Sequence, residues 1–294
     1  MRRSKINPGI AFAVGAYAVW GLLPAFIKLL KPLPAPDILA YRILWSLVLL
    51  AGLAVALRHG PALKKIVATR RLMLALTASS VLIGINWLVY IIAVNSGHVA
   101  QASLGYFINP LVNVLLGTLI LRERLGRVEG VAVVLAACAV AFLAYEQGGI
   151  PVIPLTLAFS FGFYGLVRKV TPVDPLDGLL IETAILAPLS LGWLIVAGSP
   201  LDKGPALWML PMAGLLTATP LLMFAAAAKR VRYSDLGLIQ YFSPTIQLLM
   251  AVLIYREVVA PMQWIAFGLI WVALAIYAAG ATLTSRRNSV TLPD

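Results

Sequence analysis

Tyr106-Phe107-Ile108-Asn109-Pro110-Leu111-Val112-Asn113, followed by Arg122-Glu123 twelve residues after the proline, decides the fold because its pattern occurs twice. Pro244 is followed at the same distance by Arg256-Glu257, and the copies are offset by 134 residues in a chain of 294. The offset lays Asn109 on Ser243, Asn113 on Gln247 and Gly117 on Ala251, and both copies run on into a long apolar segment. The chain therefore reads as two related halves. The number of membrane spans in each half determines whether they run the same way or opposite ways.

Hydrophobic residues make up 61% of the chain and charged residues 12%, with a mean hydropathy of +0.95. A globular domain carries about a quarter charged residues, so this composition belongs to an integral membrane protein. Roughly 20 apolar residues in a helix cross about 30 Å of hydrocarbon. Such segments fall near 8–30, 37–57, 71–93, 100–121 and 126–145, then near 151–169, 178–197, 206–228, 235–255 and 261–284. The connections are short and carry Pro, Gly and charge, which leaves no room for a soluble domain.

A formal net charge of +12 would suggest nucleic acid in a soluble protein, but here the charge is sorted by side. With the N-terminus inside, 18 of the 23 basic residues lie in cytoplasmic segments. Only Lys28, Lys31, Lys203 and Arg256 lie outside, and Arg42 falls within the second span. This is the positive-inside bias of a multi-pass membrane protein. It predicts ten spans with both termini cytoplasmic and accounts for the basic pI without a nucleic-acid surface. The run after Met1-Arg2-Arg3-Ser4-Lys5 has no small-x-small cleavage site before the next span and reads as an uncleaved first helix. Cys138, the sole cysteine, has no disulfide partner and reads as packing.

Ten spans divide into five and five, and an odd number of crossings starts the second half on the opposite face of the membrane. The sequence thus predicts an all-α integral membrane protein of ten transmembrane helices in two inverted repeats, residues 1–146 and 150–285, with a cytoplasmic tail at 286–294. Inverted repeats are typical of secondary transporters, with the substrate site at mid-membrane between the halves. Some channels and membrane-embedded enzymes also arose by duplication, and both stand as alternatives.

Further motifs carry a family likeness. Ala16-Tyr17-Ala18-Val19-Trp20-Gly21, Tyr41-Arg42-Ile43-Leu44-Trp45-Ser46 and Leu82-Ile83-Gly84-Ile85-Asn86-Trp87 mark the first three spans. Ala102 to Asn113, Phe159 to Lys169 and Ile270 to Ile276 extend the pattern through nearly the whole chain. With these residues the chain resembles the drug/metabolite transporter superfamily, EamA type, and within it the RarD permeases. The resemblance implies a permease of the bacterial inner membrane with a central cavity formed by helices 1, 3, 4, 6, 8 and 9. Amino acids or related metabolites come first as substrates on that resemblance alone, with drug-like compounds next.

Within the fourth span Gln101, Gly105, Asn109, Asn113 and Gly117 recur at i, i+4 and share one small, polar face. The matching stripe of the ninth span is Asp235, Ile239, Ser243, Gln247 and Ala251. Uncharged amides at mid-membrane can hydrogen-bond a polar substrate without burying charge, and Pro110 and Pro244 free carbonyls nearby. The same residues can instead join helices to one another. Trp20, Asn86, Tyr106, Tyr164, Gln240 and Tyr241 complete the predicted substrate-binding set of Asn109, Asn113 and Gln247, although for each aromatic taken singly packing is the favoured reading. Tyr145, Trp208, Tyr233 and Tyr255 stand near span ends and are assigned to the interfacial aromatic belt.

Arg42 and Glu182 are ionisable residues inside spans and are therefore candidates for coupling or gating. Inversion sets them at opposite depths, which argues against a mutual ion pair. For Arg42 the alternative is snorkelling; for Glu182 it is pairing with a basic residue near the cytoplasmic face. The two histidines, His59 and His98, lie in loops and no metal-spaced cluster, phosphate loop or catalytic triad can be assembled. No enzyme activity, cofactor or metal is predicted. The expected partners are a small-molecule substrate and the lipid bilayer; no feature specifies an oligomeric state.

Overall fold

The computed structural model describes residues 8–30, 33–96, 99–123, 126–146, 152–198 and 208–254, with isolated positions between 261 and 276. Several sequence expectations lie outside the described residues: the basic N-terminal segment, Lys31, His98, Lys203, Tyr255, the Arg256-Glu257 copy and the tail at 286–294. Among the described residues there is no strand. The named helices are α1 (Pro8–Leu29), α2 (Ala35–Ala56), α3 (Gly60–Ala68), α4 (Arg70–Asn95), α5 (Val99–Leu119) and α6 (Arg127–Glu146). They continue with α7 (Val152–Val170), α8 (Pro175–Ala197), α9 (Met209–Ala228), α10 (Tyr233–Ile239) and α11 (Phe242–Leu253).

The helix ends follow local chemistry. Proline stands in the first turn of α2 and of α8, where a missing N–H costs no helical bond. Asp174 caps α8 by accepting from the Leu176 N–H at 2.9 Å, and Gly198, at φ +56°, takes the left-handed conformation that ends the helix. Among the described residues five helices are long and apolar enough to cross a membrane: α1, α2, α4, α8 and α9. In each, no more than half of the apolar window is buried by protein. The remainder faces outward, including Val55 at 79%, Leu189 at 74% and Val196 at 87% exposure. Apolar exposure on that scale suits lipid, and it makes the chain a multi-pass membrane protein.

Between helices the contacts rely on small residues, as expected where lipid removes the hydrophobic drive to associate. The buried face of α9 includes Ala213, Gly214, Ala218, Ala225, Ala227 and Ala228 beside larger residues such as Leu221 and Phe224. A Cβ added at Gly214 would lie 2.6 Å from the Trp45 carbonyl carbon, so α2 and α9 approach backbone to backbone. Ser46 Oγ uses that closeness to donate to the Gly214 carbonyl at 3.1 Å. The main packing partners are α5 with α7 and α10, α2 with α8 and α9, α1 with α9 and α11, and α4 with α7 and α8.

Three features depart from the sequence reading. The apolar segment 235–255 is interrupted at Gln240-Tyr241, giving α10 and α11. Pro244 has no N–H to offer the Gln240 carbonyl, which instead accepts from Ser243 N at 3.0 Å. The basic segment after α2 folds as the short helix α3, and its Ile66 is buried with Leu76, Val173 and Ile181. Tyr233, assigned above to the aromatic belt, is fully buried, with its hydroxyl on the Gly162 carbonyl. Its backbone N–H donates to Glu123 Oε1 at 2.8 Å, so the Arg122-Glu123 loop caps α10 and draws Tyr233 inward.

Candidate functional site

A cavity opens among helices of both chain halves. From the first half α1 contributes Tyr17, Trp20 and Leu23, α2 contributes Arg42, α4 contributes Asn86, Trp87 and Tyr90, and α5 contributes Tyr106. Phe161 of α7 closes one side, and the α10–α11 junction adds Gln240, Ser243, Pro244 and Gln247. Of the predicted binding set, the structure brings Trp20, Asn86, Tyr106, Gln240 and Gln247 to this cavity, together with Arg42. Asn109, Asn113, Tyr164, Tyr241 and Glu182 stand outside its lining.

Prolines place the amides. Pro24 leaves the Trp20 carbonyl without its helical donor, and Gln247 Nε2 donates to that carbonyl at 3.2 Å, joining α11 to α1. Asn113 Nδ2 donates to Gln240 Oε1 at 3.0 Å, so the residue at the helix break is held by α5. Asn86 Nδ2 donates to the Leu157 carbonyl at 2.9 Å and to Ser160 Oγ at 3.0 Å, joining α4 to α7. Asn109 is fully buried, and neither polar atom of its amide has a hydrogen-bond partner among the described residues. Phe107 and Tyr241, which the 134-residue offset lays on each other, stack with centroids 6.1 Å apart, and the Tyr241 hydroxyl donates to the Phe107 carbonyl at 3.2 Å.

Aromatic rings make up much of the wall. Trp20 meets Tyr17 at 5.5 Å and Phe161 edge-on at 5.5 Å, and Tyr90 meets Tyr106 edge-on at 5.3 Å. Arg42 is 3% exposed, with its guanidinium over the Trp87 ring at 5.5 Å and its Nε donating to Thr217 Oγ1 at 2.8 Å. Snorkelling to an interface does not describe a guanidinium held in this way.

Glu182 belongs to a second cluster. Its carboxylate accepts from Ser79 Oγ at 2.5 Å and from the Tyr164 hydroxyl at 3.4 Å, and Arg168 Nη1 lies 3.5 Å away. Arg168 is 1% exposed and also donates to the Pro175 carbonyl at 3.0 Å. Arg42 and Glu182 thus have separate partners and form no mutual ion pair, and Glu182 takes a basic partner in Arg168. Arg168 is one of the 18 basic residues that the charge bias places in cytoplasmic segments; its i, i+4 spacing from Tyr164 is the sign in the sequence that the two share a face. Beside it, burial lowers the Lys229 ammonium from its ordinary range, with Arg168 adding to the shift and Asp174 opposing it.

Near the start of α8, His59 Nδ1 lies 2.6 Å from Asp177 Oδ1, and Asp174 is close enough to complete a possible metal-binding group. Helix capping and the His59–Asp177 contact account for these atoms.

A family model described as the EamA-like transporter family matches residues 7–145 and again 149–279. The chain belongs to the EamA-like transporter family. Protein RarD of Escherichia coli (strain K12) is 43% identical over 295 residues, covering 98% of this chain and 100% of the relative. Uncharacterized transporter YojE of Bacillus subtilis (strain 168) is 42% identical over 288 residues, 94% and 95% of the two chains. A protein of Pseudomonas aeruginosa named "Chloramphenicol-sensitive protein RarD" is 29% identical over 279 residues, 91% and 92% of the two chains. A solved structure described only as "Crystal structure of protein" superposes with a TM-score of 0.71 over 95% of this chain and 100% of its own, at 16% identity, and so shares the fold. EamA membership and the membrane-crossing helices mark a membrane transporter, in line with the expectation of a non-enzyme.

Proposed function

We propose that this EamA protein is a secondary-type permease that moves small metabolites, amino acids or drug-like compounds across the bacterial inner membrane by alternating access. In this reading ten spans form two inverted five-helix repeats, residues 1–146 and 150–285, with both termini and the 286–294 tail cytoplasmic. The observation that carries the proposal is the cavity whose walls come from both halves and include Pro244, the residue the 134-residue offset lays on Pro110.

The packing partners support related halves. Exchanging α1 with α7, α2 with α8, α4 with α9, and α5 with α10–α11 turns the α5–α7 contact into α11–α1, α4–α7 into α9–α1, and α2–α9 into α8–α4. The α2–α8 and α5–α10 contacts map onto themselves, and so does the Phe107–Tyr241 pair. A contact between equivalent residues is what a two-fold relation produces on its axis.

Trp20, Tyr106, Gln240, Gln247 and Arg42 face the substrate in this reading. Asn86, Asn109, Asn113, Tyr164 and Tyr241 support the cavity walls, and Glu182 with Arg168 forms a gate joining α4, α7 and α8 at one end. The test is solute counterflow in liposomes holding the purified protein, with labelled amino acids and chloramphenicol, repeated for Gln240→Leu and Gln247→Leu. Saturable exchange that both substitutions reduce at least about tenfold, the scale of one lost charged or paired hydrogen bond, is the expected result. Flux of a solute that never saturates would make the protein a channel.

A further inference from the structure

The described lining of the cavity holds one formal charge, and that charge is incompletely paired among the described residues. Arg42 is the sole ionised side chain in the described lining. No carboxylate of the described residues pairs with it: Asp37 accepts from Trp193 Nε1 at 2.8 Å, and Glu182 is engaged by Ser79, Tyr164 and Arg168. Thr217 holds the Nε side of the guanidinium and Trp87 supports its face, whereas buried Nη1 has no partner among the described residues. A guanidinium fixed along one edge presents its terminal edge as a planar fork, which matches the two oxygens of a carboxylate.

The other polar groups are largely committed. Asn86 and Gln247 donate to backbone carbonyls, and Gln240 accepts from Asn113. What is left in the lining is aromatic and aliphatic surface from Trp20, Leu23, Trp87 and Phe161, with the hydroxyls of Tyr90, Tyr106 and Ser243 at its edges. A multiply charged solute would find no second charge in the described lining, while a neutral solute would leave the guanidinium unpaired at a depth where isolated charge is unfavourable.

We propose that the cavity takes a small organic carboxylate with an apolar body, its carboxylate on the Arg42 guanidinium and its body against Trp20, Trp87 and Phe161. The proposal rests on the transporter reading above and specifies the substrate class of the same site. Binding of labelled 3-phenylpropionate to the full-length protein in lipid nanodiscs at neutral pH tests it. Displacement is measured with unlabelled 3-phenylpropionate and indole-3-propionate, each compared with its primary amide.

The expected result is saturable binding displaced about tenfold or more better by each acid than by its amide, the scale of one charged hydrogen bond. Arg42→Gln should remove that preference, and Arg42→Lys should retain part of it. Absence of saturable binding, an amide equal to its acid, or a preference that survives Arg42→Gln would overturn the proposal. The acid-to-amide ratio is read on the unsubstituted protein, so it stands even if a variant does not fold. Counterflow of neutral solutes without acid preference would remove only the carboxylate claim. Intact acid binding with no counterflow of any solute would remove the transporter reading instead.

Discussion

At the scale of single residues, two buried arginines illustrate opposite solutions to the same cost. Arg168 is offset by Glu182 at 3.5 Å and by the Pro175 carbonyl, whereas Arg42 has a hydroxyl, an aromatic face and an open cavity. Removing one partner of a buried pair costs about 3–5 kcal/mol, while replacing both with apolar side chains is often neutral. Glu182→Ala should therefore lower the thermal unfolding midpoint sharply, and Arg168→Met combined with Glu182→Leu should restore much of it. If the double variant keeps its stability but loses counterflow, the pair acts in the transport cycle; unchanged counterflow would assign it to structure alone. Arg42 and Glu182 were visible in the sequence because charge inside an apolar span stands out. Arg168 and Tyr233 were not, because each lies where a span meets a basic loop. Only the docking of α10 against α5, with Glu123 as its cap, determines that Tyr233 turns inward.

At the scale of elements, close packing depends on the absence of side chains. Gly214→Leu would place a branched side chain against the Trp45 backbone, which has no flexible end to move aside. The expected result is separation of α2 from α9, loss of the Ser46 bond and of the Arg42–Thr217 contact, and a destabilisation of several kcal/mol, of about the size of severe overpacking. Thermal unfolding measures the loss, and unchanged stability would mean that the two backbones are not in contact. Helix positions were legible from runs of apolar residues, since span length is set by the bilayer. The break at Gln240-Tyr241 was only half legible. Pro244 signalled a freed carbonyl, but Pro110 lies inside an unbroken α5 with the same chemistry. The difference lies in tertiary contacts: Asn113 holds Gln240, and Tyr241 is held by Phe107.

At the scale of the whole molecule, charge and hydropathy determine what faces lipid and what faces water, and the repeat determines where a substrate can sit. The cavity was legible to the extent that the two proline segments marked it. Its exact lining was not, because a polar stripe does not reveal which amides are committed to neighbouring helices. Asn113 holds Gln240 from behind, while Gln240 and Gln247 face the open space. The central claim is that this space opens to each side of the membrane in turn. It is tested most directly by placing a single cysteine at Ser243, in the cavity wall, after replacing the sole native cysteine by Cys138→Ser. A membrane-impermeant thiol reagent is then applied from either side of oriented vesicles, with and without transported solute. Alternating access predicts labelling from both sides, with solute slowing both and with conditions that favour one side suppressing the other. Labelling from one side only, under every condition, would contradict it.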